Sequence, residues 1–105
     1  RVAQGTRHPQ TVALNGPLAF TVTLRDTAGV ESTLDTAPYG IVPSPYRRPG
    51  VGAGAGWANA FSTLTLPLAD FGGVDLTSLA AVRFDFGGTG GPVGRVALDD
   101  VMFVR

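Results

Sequence analysis

Apolar residues at every second position are the dominant signal in this chain, and they are densest between Phe61 and Phe103. Leu64 with Leu66, Val82 with Phe84 and Phe86, and Val96 with Leu98 stand at spacing two, the period that sends alternate side chains of a strand to one face. Three strands sharing one apolar layer are expected from that stretch. In the first half, Leu18, Phe20, Val22 and Leu24 alternate with Thr21, Thr23 and Arg25, which predicts a strand with a core face and a solvent or partner face. Asp26-Thr27-Ala28-Gly29 then reads as a hairpin loop, with Gly where a positive φ is needed, and Val30 to Thr36 as a more polar returning strand. Gln10 to Leu14 is a further edge-strand candidate, closed by the turn signal Asn15-Gly16-Pro17.

Gly and Pro set the boundaries. Residues 1–10 are polar and aperiodic and are expected to be flexible. Residues 37–58 carry Pro38, Pro43, Pro45 and Pro49 and Gly at 50, 52, 54 and 56, and read as one long loop; such loops are either functional or disordered. Pro67 stops the strand that begins at Phe61, because it has no N–H for a ladder, and a tight turn to Phe71 follows. Asp75 to Leu79 predicts one turn of helix or 3₁₀, with Asp75 as its N-cap. Ala81 to Phe86 is a strand with Arg83 and Asp85 facing outward, and Gly87 to Gly94 is a loop. From Arg95 to Val104 the apolar parity slips at Asp99-Asp100, which predicts a single-residue bulge returning both halves to the core.

With 105 residues the chain has room for one domain. Fifteen Gly, eight Pro and the absence of a helical period place that domain in the all-β class. Charged residues make up 15% and balance to a formal net charge of zero, which argues against a nucleic-acid partner. Cys is absent, which excludes a disulfide framework and thiolate metal sites. No run approaches the roughly 20 apolar residues of a membrane helix. Residue 1 is Arg, so a fragment or a processed product of a longer chain is expected.

A strand ending in Pro67-Leu68-Ala69-Asp70-Phe71, the turn Asp75-Leu76-Thr77-Ser78-Leu79, the outward-charged strand Val82-Arg83-Phe84-Asp85-Phe86, a glycine loop and the closing Val96-Ala97-Leu98-Asp99-Asp100-Val101-Met102-Phe103 recur in that order. This succession resembles the C-terminal half of galactose-binding-like jelly rolls, which include many carbohydrate-binding modules of secreted bacterial glycoside hydrolases. The resemblance runs from Leu18 to Phe103. It implies an antiparallel β-sandwich, without the one or two opening strands such domains often carry. It also implies a non-catalytic, secreted or cell-surface bacterial module with a polysaccharide or glycan as partner. Relatives often hold a structural calcium through an Asp of the closing strand, which corresponds to Asp99 or Asp100; calcium takes about six to eight oxygens. The competing reading is that the Asp pair accepts backbone N–H bonds at the bulge.

Catalytic constellations are weak. The single His, His8, lies in the segment expected to be flexible, so a Ser-His-Asp arrangement finds no base. Glu31 with Asp35, or Asp85 with Asp99, could form a glycosidase carboxylate pair, but outward strand positions are usually solvated. An enzyme is not expected. The series Gly50 to Gly56 lacks the Lys of a phosphate loop. Sugar binding needs an aromatic face for the pyranose and planar polar groups for its hydroxyls. Trp57, Tyr46 and Tyr39 supply the first requirement and Arg48 and Arg83 the second, with Arg47, Asn59 and Asp85 as further donors and acceptors. The same three rings could equally cover one end of the sandwich. A structural or assembly domain that pairs open strand edges with another chain is the alternative of a different class; its outer faces are rich in Thr, at 21, 23, 63 and 65.

Overall fold

The structure, a computed structural model, describes residues 1–4, 18–43, 46–48, 56–58, 61–86 and 96–104. Strands dominate: β1 (Val2–Gln4), β2 (Thr21–Asp26), β3 (Glu31–Asp35), β4 (Tyr46–Arg48), β5 (Gly56–Ala58), β6 (Leu79–Asp85) and β7 (Val96–Leu98). Two short 3₁₀ turns, Ala37–Tyr39 and Leu68–Asp70, complete the regular structure among the described residues. Every strand pairing is antiparallel. The chain divides into two compact units: Arg1–Leu18 with Ile41–Leu64 and Val93–Arg105, and Ala19–Gly40 with Thr65–Pro92.

The second unit is a three-stranded sheet in the order β3-β2-β6. Its β2–β3 hairpin is the one expected from sequence, with Arg25 opposite Glu31 and Thr21 opposite Asp35. Phe20, Val22 and Leu24 are buried as the alternation requires. Phe20 packs on Phe86 at 4.7 Å between ring centroids and on Phe84 at 6.4 Å, both tilted, the offset geometry aromatic pairs prefer. Past the last ladder pair, Thr36 donates its N–H to the Phe20 carbonyl while its hydroxyl accepts the Phe20 N–H, so a side chain completes the edge of the ladder.

Simple alternation fails on the other face. Thr23 belongs to the expected solvent face, yet only 1% of it is exposed. β2 is the central strand, so Thr23 has a neighbour on each side, Thr33 and Arg83. Its hydroxyl shares a hydrogen bond with that of Thr33 at 2.7 Å. Arg83 on β6 reaches Glu31 on β3 at 3.4 Å, which carries the guanidinium across β2 on this face.

In the other unit β1 pairs with β7, with Val2 opposite Leu98 and Gln4 opposite Val96. Val2 also exchanges two backbone hydrogen bonds with Ser62, at 2.9 and 2.8 Å. At the chain start Val2, Ala3 and Gln4 are buried and pair with β7. Residues 5–10, and the edge strand expected at 10–14, lie outside the described residues. The Gln4 amide donates to the carbonyl of Val42, itself fully buried and bridged to Leu18.

Several expectations are corrected. Among the described residues the segments 64–66, 82–86 and 96–98 do not join one sheet: β6 pairs with β2, β7 with β1, and the 61–66 segment makes the bridge at Ser62. That segment keeps its alternation, with Ser62, Leu64 and Leu66 half-buried and their odd-numbered neighbours exposed. The supposed loop 37–58 contains a 3₁₀ turn, the Val42 bridge and the β4–β5 pair. Asp75 caps as expected, and the expected turn of helix or 3₁₀ is one hydrogen-bonded turn: its carboxylate accepts the Thr77 N–H and hydroxyl, and its carbonyl the Ser78 N–H. The bulge at Asp99-Asp100 is also different. Asp100 takes φ 50, a left-handed conformation that Asp tolerates, and β7 ends before it. Val101 to Val104 are exposed rather than returned to the core.

Candidate functional site

The candidate residues fall into three places. The first is the β4–β5 pair, which aligns Tyr46 with Ala58, Arg47 with Trp57 and Arg48 with Gly56. Aromatic residues favour a pleated surface, and the Gly- and Pro-rich 49–55 segment between the strands lies outside the described residues. Directly opposed residues of an antiparallel pair are lateral neighbours, about 4.5–5.5 Å apart. Arg47 is therefore the register partner of Trp57, while Tyr46 and Trp57 occupy positions of opposite parity. The ladder brings Tyr46, Arg47, Arg48 and Trp57 onto one short element despite their separation in sequence.

The second place is Tyr39, on the 3₁₀ turn of the other unit. Its hydroxyl donates to the Asp70 carboxylate, which joins the two 3₁₀ turns. That hydrogen bond, with the adjacent negative charge, raises the phenol above its ordinary pKa. The Tyr39 hydroxyl is thus engaged within its own unit.

Arg83 is the third. Its Nε donates to the Asp85 carboxylate at 2.9 Å and its Nη1 to Glu31 at 3.4 Å. The Asp85 bond and charge, then the charge of Glu31, push the guanidinium pKa further up. Its side chain is 56% exposed, so it is a solvent-facing ion-pair centre.

The carboxylates considered for hydrolysis are occupied in other ways. Asp35 accepts the Ala37 N–H, and Glu31 and Asp85 both serve Arg83. Glu31 and Asp35 stand four positions apart on β3, about 13 Å along an extended strand, beyond the roughly 5–9.5 Å of glycosidase carboxylate pairs. Asp85 and Asp99 belong to different units. His8 and Asn59 lie outside the described residues.

Asp99 and Asp100 are used locally. The Asp99 carboxylate accepts the Asp100 N–H at 2.9 Å, and its backbone pairs with Arg1. Asp100 Oδ2 lies 3.5 Å from Arg1 Nη1. Among the described residues no group of three or more His, Cys, Asp or Glu assembles to hold a metal. As placed, the guanidinium beside Asp100 disfavours a dication there, and the two carboxylates supply only part of a calcium shell of about six to eight oxygens.

One polar centre went unnoticed in the sequence beyond its role as a turn residue. Asp26 is 4% exposed; its Oδ1 accepts the N–H groups of Ala28 and Val30, and its Oδ2 that of Asp75, at 2.9–3.0 Å. These bonds, led by that from Asp75, hold its carboxyl below the usual range despite desolvation. The local half is legible as an Asx-type turn, whereas the bond to Asp75 has no local signal. Both carboxylate oxygens are committed to backbone, so Asp26 is a structural clamp joining the β2–β3 loop to the turn before β6.

Compared with models of known families, with curated proteins and with solved structures, the chain finds no match in any of the three. Among the described residues no helix is long and apolar enough to cross a membrane.

Proposed function

We propose that this chain is a non-catalytic binding module of the galactose-binding-like, carbohydrate-binding type, folded as a jelly-roll sandwich and belonging to a secreted or cell-surface bacterial protein. The β4–β5 pair would be its glycan-reading element. The observation that carries this reading is the register that sets Arg47 opposite Trp57. A sugar presents an apolar face and a rim of hydroxyls, and a Trp and an Arg at one register position are the residue types that answer both. Tyr46 and Arg48 extend the same element, whereas Tyr39 and Arg83 belong to the other unit and are engaged in its internal bonds.

The test is retention of the 105-residue chain on immobilised polysaccharides, followed by calorimetric titration with oligosaccharides from any that retain it. Trp57→Ala is expected to weaken binding about tenfold or more, the scale of one lost aromatic platform, with an unchanged far-ultraviolet dichroism spectrum. Full binding by this variant, or no retention by any polysaccharide, would reject the reading.

A second reading, an assembly module that pairs strand edges with another chain, is favoured by one separate observation. The consecutive apolar residues Val101 to Val104 are 58–66% exposed and lie outside any described strand, and exposed apolar backbone invites strand addition.

A further inference from the structure

The apolar segment after β7 carries an inference that deepens the assembly reading and is independent of glycan binding. Among the described residues β7 has one ladder neighbour, β1, and its pairing continues to Asp99, whose N–H donates to the Arg1 carbonyl. Asp100 then turns into the left-handed region at φ 50 and separates residues 101–104 from the ladder. Val101, Met102, Phe103 and Val104 are exposed by 60, 65, 58 and 66%. Four consecutive large apolar side chains in water are a costly surface to leave uncovered, at about 25 cal/mol per Å² of apolar area.

We propose that residues 101–104 of two copies of this chain pair antiparallel about a twofold axis, closing a homodimer. The sequence around the segment, Asp-Val-Met-Phe-Val-Arg, is complementary to its own reverse. In the register that sets Met102 opposite Phe103, Val101 meets Val104, and Asp100 of each copy stands opposite Arg105 of the other. Parallel pairing in register would place Asp against Asp and Arg against Arg, and like charges directly opposite are destabilising. An unrelated partner strand would have to supply this pattern; a second copy already has it. Asp100 remains available because its contact with Arg1 leaves 51% of its side chain exposed. The contact is isologous, so it closes at two copies and does not propagate.

Sedimentation velocity over a concentration series of the 105-residue chain tests the proposal. The expected result is a monomer–dimer equilibrium weakened at least about tenfold by Phe103→Asp and to a smaller extent by Arg105→Glu. Both variants should keep the wild-type dichroism spectrum, since Phe103 lies outside every ladder. Trp57→Ala should leave the dimer intact, which separates this proposal from the glycan reading. The proposal is overturned by a monomer persisting to concentrations on the order of 1 mM, by a dimer that Phe103→Asp does not weaken, by loss of the dimer in Trp57→Ala, or by open-ended oligomers.

Discussion

The two units are held in different ways. The unit around β2 has ladders on both sides of its central strand, a buried aliphatic row and a carboxylate clamp; Val22, Thr23 and Leu24 are all at most 4% exposed. The unit around β1 relies on ladders of three residue pairs. It buries Val2, Ala3 and Val42, yet leaves Val96, Leu98 and the 101–104 run open to solvent. A central strand satisfies its backbone twice and buries side chains on both faces, whereas a two-stranded ladder does neither. Stability is thus expected to concentrate in the unit around β2, while the surfaces proposed for binding and assembly lie in the unit around β1.

The sharpest way to break this contrast is to cut a buried aliphatic side chain in each unit. Leu24→Ala, at 2% exposure, should cost about 2–5 kcal/mol in urea unfolding. Val42→Ala, at 0%, removes less apolar volume and should cost about 2 kcal/mol. Should Val42→Ala prove the costlier, the unit around β1 would be the stability-determining one and the contrast would be reversed.

Asp26 sharpens the comparison through pH. Its folded-state pKa is lowered, chiefly by the Asp75 N–H, so its contribution is present above the unfolded carboxylate value of about 3.9 and is lost as pH falls through the folded value. The thermal stability of the wild type should therefore fall as pH drops below about 4. Asp75 is lowered too, mainly by the Thr77 hydroxyl and N–H, and adds to the same window. Asp26→Asn replaces an acceptor oxygen by a donor facing backbone N–H groups; it should lower Tm at pH 7 by on the order of 10 °C and flatten the acid dependence. An acid profile identical to wild type would show that the clamp does not act through its charge.

The smallest expected effect is at Gly29, in the loop Asp26 braces. It has φ 84, and a Cβ built there meets nothing within 4 Å. Gly29→Ala should cost about 1 kcal/mol from backbone strain alone. A cost well above that would mean the loop has less freedom than the open space around Gly29 implies.

The β2–β3 hairpin was legible because its determinants are local: clean alternation, an Asp at the first turn position and a Gly where φ is positive. The Asp75 cap was legible for the same reason. Thr23 was misplaced because alternation describes a strand with one covered face, and only the neighbours Thr33 and Arg83 show that this one is covered on both. The long loop concealed β4 and β5 because three-residue strands are too short to display a period. Tyr46 and Trp57 stand out by residue type, but their register, and with it Arg47 as the partner of Trp57, could not be read from spacing.

The sequence by itself determined the β-rich class, the hairpin, the turn chemistry at Asp26 and Asp75, and the break at Asp99-Asp100. These depend on backbone preferences within a few residues. Only the tertiary structure decided which strands pair, which carboxylate becomes a clamp and which apolar run stays exposed. Each of those outcomes depends on partners far away in the chain: Asp26 meets Asp75, Gln4 meets Val42, and Val2 lies between Leu98 and Ser62. An apolar strand residue requires cover, but its period carries no record of what will provide it.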